Sequence, residues 1–210
     1  MSAEDNARRE IIAVCRLLHQ KNLIAATDGN VSVRLDYRLL LTPSGVHKGV
    51  MREDQLILVD LEGRLLQGAG RPTSEIRLHL TAYEVRPEVR AVVHAHPPLA
   101  IACSLAGLSL EEPVLPEVVL TLDGIPTVPY ATPTTPEVPA AVREPLKSFD
   151  ALILTRHGAV TLGRTLWEAY NKMEKVEHAA QIIWAAHLAG GAPRLSQAQV
   201  DKLKQLRGQL

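Results

Sequence analysis

The chain has 210 residues, 46% hydrophobic and 22% charged, with Lys plus Arg and Asp plus Glu balanced at 23 each. That length predicts a single domain over residues 1–210 with a substantial core, and the charge balance with only seven aromatic residues leaves no basic, aromatic-laced field for nucleic acid. No apolar run reaches membrane-span length and no signal-peptide pattern opens the chain, while Cys15 and Cys103 read as free core thiols of a reducing compartment, so a cytoplasmic protein is expected.

In chain order, Ile11, Val14, Cys15, Leu17 and Leu18 recur at helical spacing within residues 4–22. A turn at Thr27-Asp28-Gly29-Asn30 leads into an alternating strand, Val31–Leu35. Leu39–Thr42, Leu56–Asp60 and Leu65-Leu66 read as further strands. Thr73 or Ser74 can cap a helix running to about Val85, with Pro87 beyond its end. The His94 strand follows, then an apolar helix from Leu99 to Ala106. Val114–Leu120 and Thr127–Tyr130 read as strands, and Thr132–Glu137 opens a short helix. Ala151–Leu154 and Val160–Gly163 are strands. Thr165 caps a long helix over 166–189, and Ser196 opens a last, polar one. Strands and helices alternate without repeats or linkers, which predicts a mixed, three-layer α/β fold. Periodicity alone does not decide strand direction, but the hairpin-like spacings in 31–66 favour a mostly antiparallel central sheet flanked by helices.

The chemistry concentrates in Ala91-Val92-Val93-His94-Ala95-His96-Pro97-Pro98. Two imidazoles at i and i+2 of a strand share a face and can grip one metal ion. A lone His beside apolar residues is commonly a core side chain, so a third ligand is needed. Ala151–Gly158 supplies it: His157 leaves a second hydrophobic run just before a glycine. Three histidines at strand ends make an open site, with a position left for substrate. Three turns, Gly29-Asn30, Thr42-Pro43-Ser44-Gly45 and Thr73-Ser74-Glu75, offer backbone N–H groups and hydroxyls to an anion, which suggests a phosphorylated small-molecule substrate. His47 and Lys48 read as exposed loop residues, Arg156 as structural, and His79, His178 and His187 as surface or packing residues. Tyr130 either packs or lines the pocket.

The ordered set Gly29-Asn30-Val31-Ser32-Val33-Arg34, Thr42-Pro43-Ser44-Gly45, Ser74-Glu75, Val93-His94-Ala95-His96 and Arg156-His157-Gly158-Ala159 resembles the class II aldolase/adducin family over residues 6 to 190. Its zinc-dependent sugar-phosphate aldolases, of the fuculose-phosphate type, are nearest in outline. The resemblance implies a nine-stranded antiparallel sheet and a homotetramer with active sites between subunits. It implies one Zn2+ per subunit on His94, His96 and His157, with Glu75 as fourth ligand or acid/base. Substrate phosphate would be held by Gly29, Asn30, Ser44, Gly45, Thr73 and Ser74.

The implied reaction is reversible cleavage of a ketose 1-phosphate to dihydroxyacetone phosphate and an aldehyde. Departures from the family pattern matter. Glu117 stands where fuculose-phosphate aldolase places an aromatic hydroxyl from a neighbouring subunit, Pro133 replaces a second aromatic, and the tail Gly208-Gln209-Leu210 lacks tyrosine. Glu117 resembles the base of the methylthioribulose-phosphate dehydratase branch, which does not keep Glu75. The ribulose-phosphate 4-epimerase branch carries Asp there. Holding both Glu75 and Glu117 points to an aldolase acting on another sugar or deoxysugar phosphate, such as 5-deoxyribulose or methylthioribulose phosphate. The alternatives are a dehydratase or epimerase on the same site, or a non-catalytic adducin-like interaction module.

Overall fold

The computed structural model describes residues 2–208; the tail reading at Gln209-Leu210 lies outside them. Helix α1 (Ala3–Gln20) starts from a reciprocal cap between Ser2 and Asp5 and buries Ile11, Val14, Cys15 and Leu18. Strands β1 (Asn30–Leu35), β2 (Arg38–Leu41), β3 (Ile57–Asp60) and β4 (Leu65–Gln67) form an antiparallel meander. Helix α2 (Ile76–Val85) precedes β5 (Ala91–Ala95), which is followed by α3 (Pro98–Ala106), α4 (Pro116–Leu122), β6 (Thr127–Val128) and α5 (Glu137–Arg143). Then come β7 (Ala151–Leu154), β8 (Gly158–Gly163), α6 (Leu166–Leu188), capped by Thr165 as expected, and α7 (Gln197–Arg207), capped by Ser196.

All eight strands join one sheet in the order β4-β3-β2-β1-β5-β8-β7-β6. The strand alternation sorts side chains into two cores. Leu40, Leu58, Val93 and Ile153 face α1, α3 and α6 on one side, while Leu39, Val59, Val92 and Leu152 face α2 and α5 on the other. The result is the expected three-layer α/β arrangement, and β5 runs at its centre, paired antiparallel with both β1 and β8.

Three expectations are corrected. Among the described residues the sheet has eight strands rather than nine, and the β6–β7 pair is parallel. The run Val114–Leu120, expected as a strand, lies largely in α4. Pro116 at the first helical turn favours helix initiation, and Val118, Val119 and Leu122 gain burial at helical spacing, which overrides their β preference. The run Thr127–Tyr130 pairs over only two residues, and Tyr130 is exposed.

Candidate metal centre and anion cleft

His94 is the fourth residue of β5 and is fully buried. Its Nδ1 is 2.9 Å from the Ala159 carbonyl, which accepts a hydrogen bond from it. That bond fixes the tautomer and leaves the Nε2 lone pair pointing inward. His96 follows two residues later, past the strand end, with its Nδ1 3.7 Å from an Asp28 carboxylate oxygen. His157 closes the turn between β7 and β8, where Arg156 adopts φ +63° and His157 N–H donates to the Leu154 carbonyl. The Arg156 side chain is exposed, and its backbone N–H donates to Ser104 Oγ.

Glu75 enters from the turn before α2. Its Oε2 is 3.0 Å from His94 Nε2 and its Oε1 is 3.1 Å from His157 Nε2, while the Nε2 atoms of His94 and His96 are 3.2 Å apart. One ligand atom from each of the four residues falls within 4.8 Å of the others. Burial pushes the Glu75 carboxyl up, but His94 and His157 outweigh it and hold the group far below the usual carboxylate range. Burial drives His94 down, and the Glu75 carboxylate more than reverses this. His96 is lowered to about 4 by burial and by the neighbouring imidazoles.

The geometry of the donor set itself fits a divalent metal. His94 Nδ1 is committed to a carbonyl, so its Nε2 lone pair faces His96 Nε2 across 3.2 Å. His157 Nδ1 is buried without a hydrogen-bond partner, and Glu75 Oε1 meets only His157 Nε2, at 3.1 Å and without hydrogen-bond alignment. Lone pairs converging in a buried site, with a carboxylate oxygen left unsatisfied, are what a divalent cation relieves. The residues fit.

Beside this cluster lies a cleft of about 270 Å³ whose walls include all six residues expected to hold phosphate: Gly29, Asn30, Ser44, Gly45, Thr73 and Ser74. Glu75 and His96 share it. Ser44 N–H donates to the Arg71 carbonyl, which draws the 43–45 turn against the segment before α2. Gly29 has φ +66°, and a Cβ there would stand 2.6 Å from Ile24 and 2.9 Å from the His94 carbonyl, so only glycine lets this turn lie on β5. A cleft of about 320 Å³ lined by Lys21, Leu23, Glu174, Glu177, His178 and Gln181 holds none of these candidates.

Other residues depart from expectation. The α2 start is not capped by Thr73 or Ser74 in the usual way: Thr73 Oγ1 accepts from Glu75 N–H, and Glu75 itself occupies the cap position. Lys48, read as an exposed cation, is 2% exposed. Its ammonium donates to the carbonyls of Val46, Thr27 and Pro43 at 2.8, 3.0 and 3.4 Å, because the two cleft turns fold over it. Glu117 is exposed on α4, outside both the metal-ligand cluster and the cleft of its own chain.

Sequence reading also missed a buried polar ladder under Glu75. Asn30 Nδ2 donates to Glu75 Oε2 at 3.0 Å, and Asn30 Oδ1 meets His79 Nε2. His79 Nδ1 is 2.7 Å from Ser32 Oγ, which is 2.8 Å from the Tyr83 hydroxyl. The available signal was spacing: Glu75, His79 and Tyr83 recur every four residues, and Asn30 and Ser32 every two.

The family model for the Class II Aldolase and Adducin N-terminal domain matches residues 9–184. An L-fuculose phosphate aldolase from Methanococcus vannielii is 37% identical over 174 residues, covering 83% of this chain and 93% of the relative. A 5-methylthioribulose-1-phosphate/5-deoxyribulose-1-phosphate aldolase from Escherichia coli O45:K1 is 35% identical over 165 residues, or 76% of each chain. A 3-oxo-tetronate 4-phosphate decarboxylase from Pectobacterium atrosepticum is 32% identical over 189 residues, covering 88% of this chain and 86% of the relative. With a histidine–glutamate cluster at the end of its central strand and a family match over most of its length, this chain belongs to the class II aldolase and adducin family.

Proposed function

We propose that the chain is a zinc-dependent aldolase that reversibly cleaves a ketose 1-phosphate to dihydroxyacetone phosphate and an aldehyde. One observation carries this reading: a buried Glu75 carboxylate contacts two imidazole Nε2 atoms at the mouth of a cleft built from glycine, serine and threonine turns. His94, His96 and His157 would hold the metal, with Glu75 as a fourth ligand before substrate enters. Bound there, zinc supplies Lewis-acid stabilisation of the negative charge that develops on the substrate oxygens.

The chain's own residues do the rest. The turns at Gly29-Asn30, Ser44-Gly45 and Thr73-Ser74 bind the phosphate and fix which end of the sugar reaches Glu75. On cleavage the C4 hydroxyl gives its proton to a base at the aldehyde end, the C3–C4 electron pair remains on C3 as an enediolate, and the carbon fragment beyond it leaves as the aldehyde. The Glu75 carboxyl delivers a proton to C3, making the hydroxymethyl carbon of dihydroxyacetone phosphate; in synthesis its carboxylate removes that proton. Glu117 is proposed to reach the aldehyde half from a neighbouring subunit of a homotetramer, since it faces outward on its own chain. Similarity to the E. coli aldolase supports a 5-deoxyribulose or methylthioribulose phosphate as substrate. No described helix is long and apolar enough to cross a membrane, which is compatible with the expected cytoplasmic location.

The likeness to a decarboxylase favours a second reading, in which the same enediolate arises by loss of carbon dioxide instead of an aldehyde. The test is NMR of dihydroxyacetone phosphate in deuterated water with zinc-loaded protein, beside Glu75→Gln. Deuterium entering the hydroxymethyl carbon, lost in the variant, supports the enediolate chemistry that both readings share, and release of an aldehyde rather than carbon dioxide from substrate then marks the aldolase. Zinc binding without exchange rejects both enediolate readings and turns the assay to dehydration and epimerisation. Absence of bound zinc and of turnover leaves an interaction module.

A further inference from the structure

We infer that His79 is a positioning residue that aims the Glu75 carboxylate at the metal centre through Asn30. The inference rests on the metal-binding half of the proposed function and not on the choice of reaction.

The ladder exists because two periodicities match. Four residues of α-helix advance about 6 Å and two residues of strand about 6.6 Å. Glu75, His79 and Tyr83 therefore keep step along α2 with Asn30 and Ser32 along β1, whose residues pair with His94 and Val92 of β5. Helix and strand groups alternate up the interface: Glu75, Asn30, His79, Ser32, Tyr83. Asn30, Ser32, His79 and Tyr83 are each no more than 5% exposed, so no solvent competes for these bonds.

Hydrogen-bond chemistry gives the ladder one direction. The Glu75 carboxylate only accepts, so Asn30 must turn its Nδ2–H toward it. Asn30 Oδ1 then faces His79 and needs a donor, which only Nε2–H supplies. His79 Nδ1 is left to accept from the Ser32 hydroxyl, and the Tyr83 hydroxyl, near Ser32 Oγ and the Ser32 carbonyl, completes the series as donor. Burial holds His79 down to about 3, with His94 adding to the effect, so the ring is neutral and its Nδ1 is free to accept. With an apolar ring at position 79, Asn30 Oδ1 would lose its donor. The amide could then rotate and place its oxygen against the carboxylate, which would no longer be held facing His94 and His157.

The experiment is a zinc titration against a chromophoric chelator, on wild type, His79→Phe, Asn30→Ala and the double variant, with thermal unfolding measured alongside. Each single change should weaken zinc binding about 10- to 100-fold, the range for residues that orient metal ligands, and the double should be no weaker than the weaker single. His79→Gln, which keeps an N–H aimed at Asn30, should bind zinc better than His79→Phe and serves if the latter does not fold. Wild-type affinity in His79→Phe, or losses that multiply in the double variant, would overturn the proposal. The 15N spectrum of His79 in wild type should show a protonated Nε2 and a bare Nδ1; the opposite tautomer also overturns it. A wild-type chain that binds no zinc would reject the metal reading, and that spectrum would then decide the orientation by itself.

Discussion

Gly158 lies so close to Ala95 that a Cβ built on it would stand 2.4 Å from the Ala95 carbonyl oxygen, with His96 Cδ2 at 2.9 Å and His94 Cε1 at 3.1 Å. The residue after His157 is therefore a steric requirement of the other two histidines. Gly158→Ala should push β8 away from the end of β5, costing about 1–3 kcal/mol, as overpacking does. Zinc affinity should fall with it. Urea unfolding and zinc titration check this, and a variant with wild-type zinc affinity would remove the steric coupling.

Lys48 is the second test, because its three N–H groups meet three carbonyls from the two cleft turns. Lys48→Met would orphan those acceptors in a buried setting, at about 1–3 kcal/mol. Binding of inorganic phosphate, measured by calorimetry, should weaken in parallel. Lys48→Arg should not restore either property, since a planar guanidinium cannot aim at three divergent carbonyls.

A pH prediction comes from Asp150, held 3.0 Å from Arg86 and 2.8 Å from Lys172, cations also engaged by Glu88 and Glu168. Burial raises its carboxyl, but Lys172 and then Arg86 lower it further, so the net shift is downward. A folded pKa below the unfolded value of about 3.9 contributes stability that is present above pH 4. That contribution is lost as pH falls through the depressed folded pKa. Asp150→Asn should cost about 2 kcal/mol at neutral pH and flatten the acid side of the stability profile, as thermal melts between pH 2 and 7 would show.

Metal removal should be visible without any substrate. Zinc at 100 times its dissociation constant should stabilise the fold by about 2.7 kcal/mol, raising the melting temperature by about 5–11 °C for a chain of this size. Chelator should reverse the shift, and His157→Ala should abolish it. An unchanged melt in wild type with and without zinc would contradict the assignment of the four ligands.

Much of this protein was legible along the chain. Hydrophobic period placed nearly every helix and strand, since burying one face of an element is a local pattern. The His-x-His spacing on a strand and the His-Gly turn nominated three ligands, because strand geometry dictates which side chains share a face. Where local preference conflicted with burial, reading failed: Val118 and Val119 sit in a helix, which buries both of them. Lys48 looked like a surface cation because nothing nearby in sequence shows that residues 27 and 43–46 close over it. His79 looked like a packing residue because its partners are 47 and 49 positions away.

The sequence by itself determined the elements, the two-faced sheet and the kinds of donor available for a metal and an anion. That Glu75, 19 and more positions from the histidines, joins them, and that three separate turns serve one anion, was expected only through the family resemblance; the tertiary structure brings the four side chains within reach and lines one cleft with the three turns. Periodicity acts over a few residues, whereas a site needs groups from distant segments within hydrogen-bond reach. Only the pairing of β1 and β8 with β5, and the seating of α2 across them, brings those groups together.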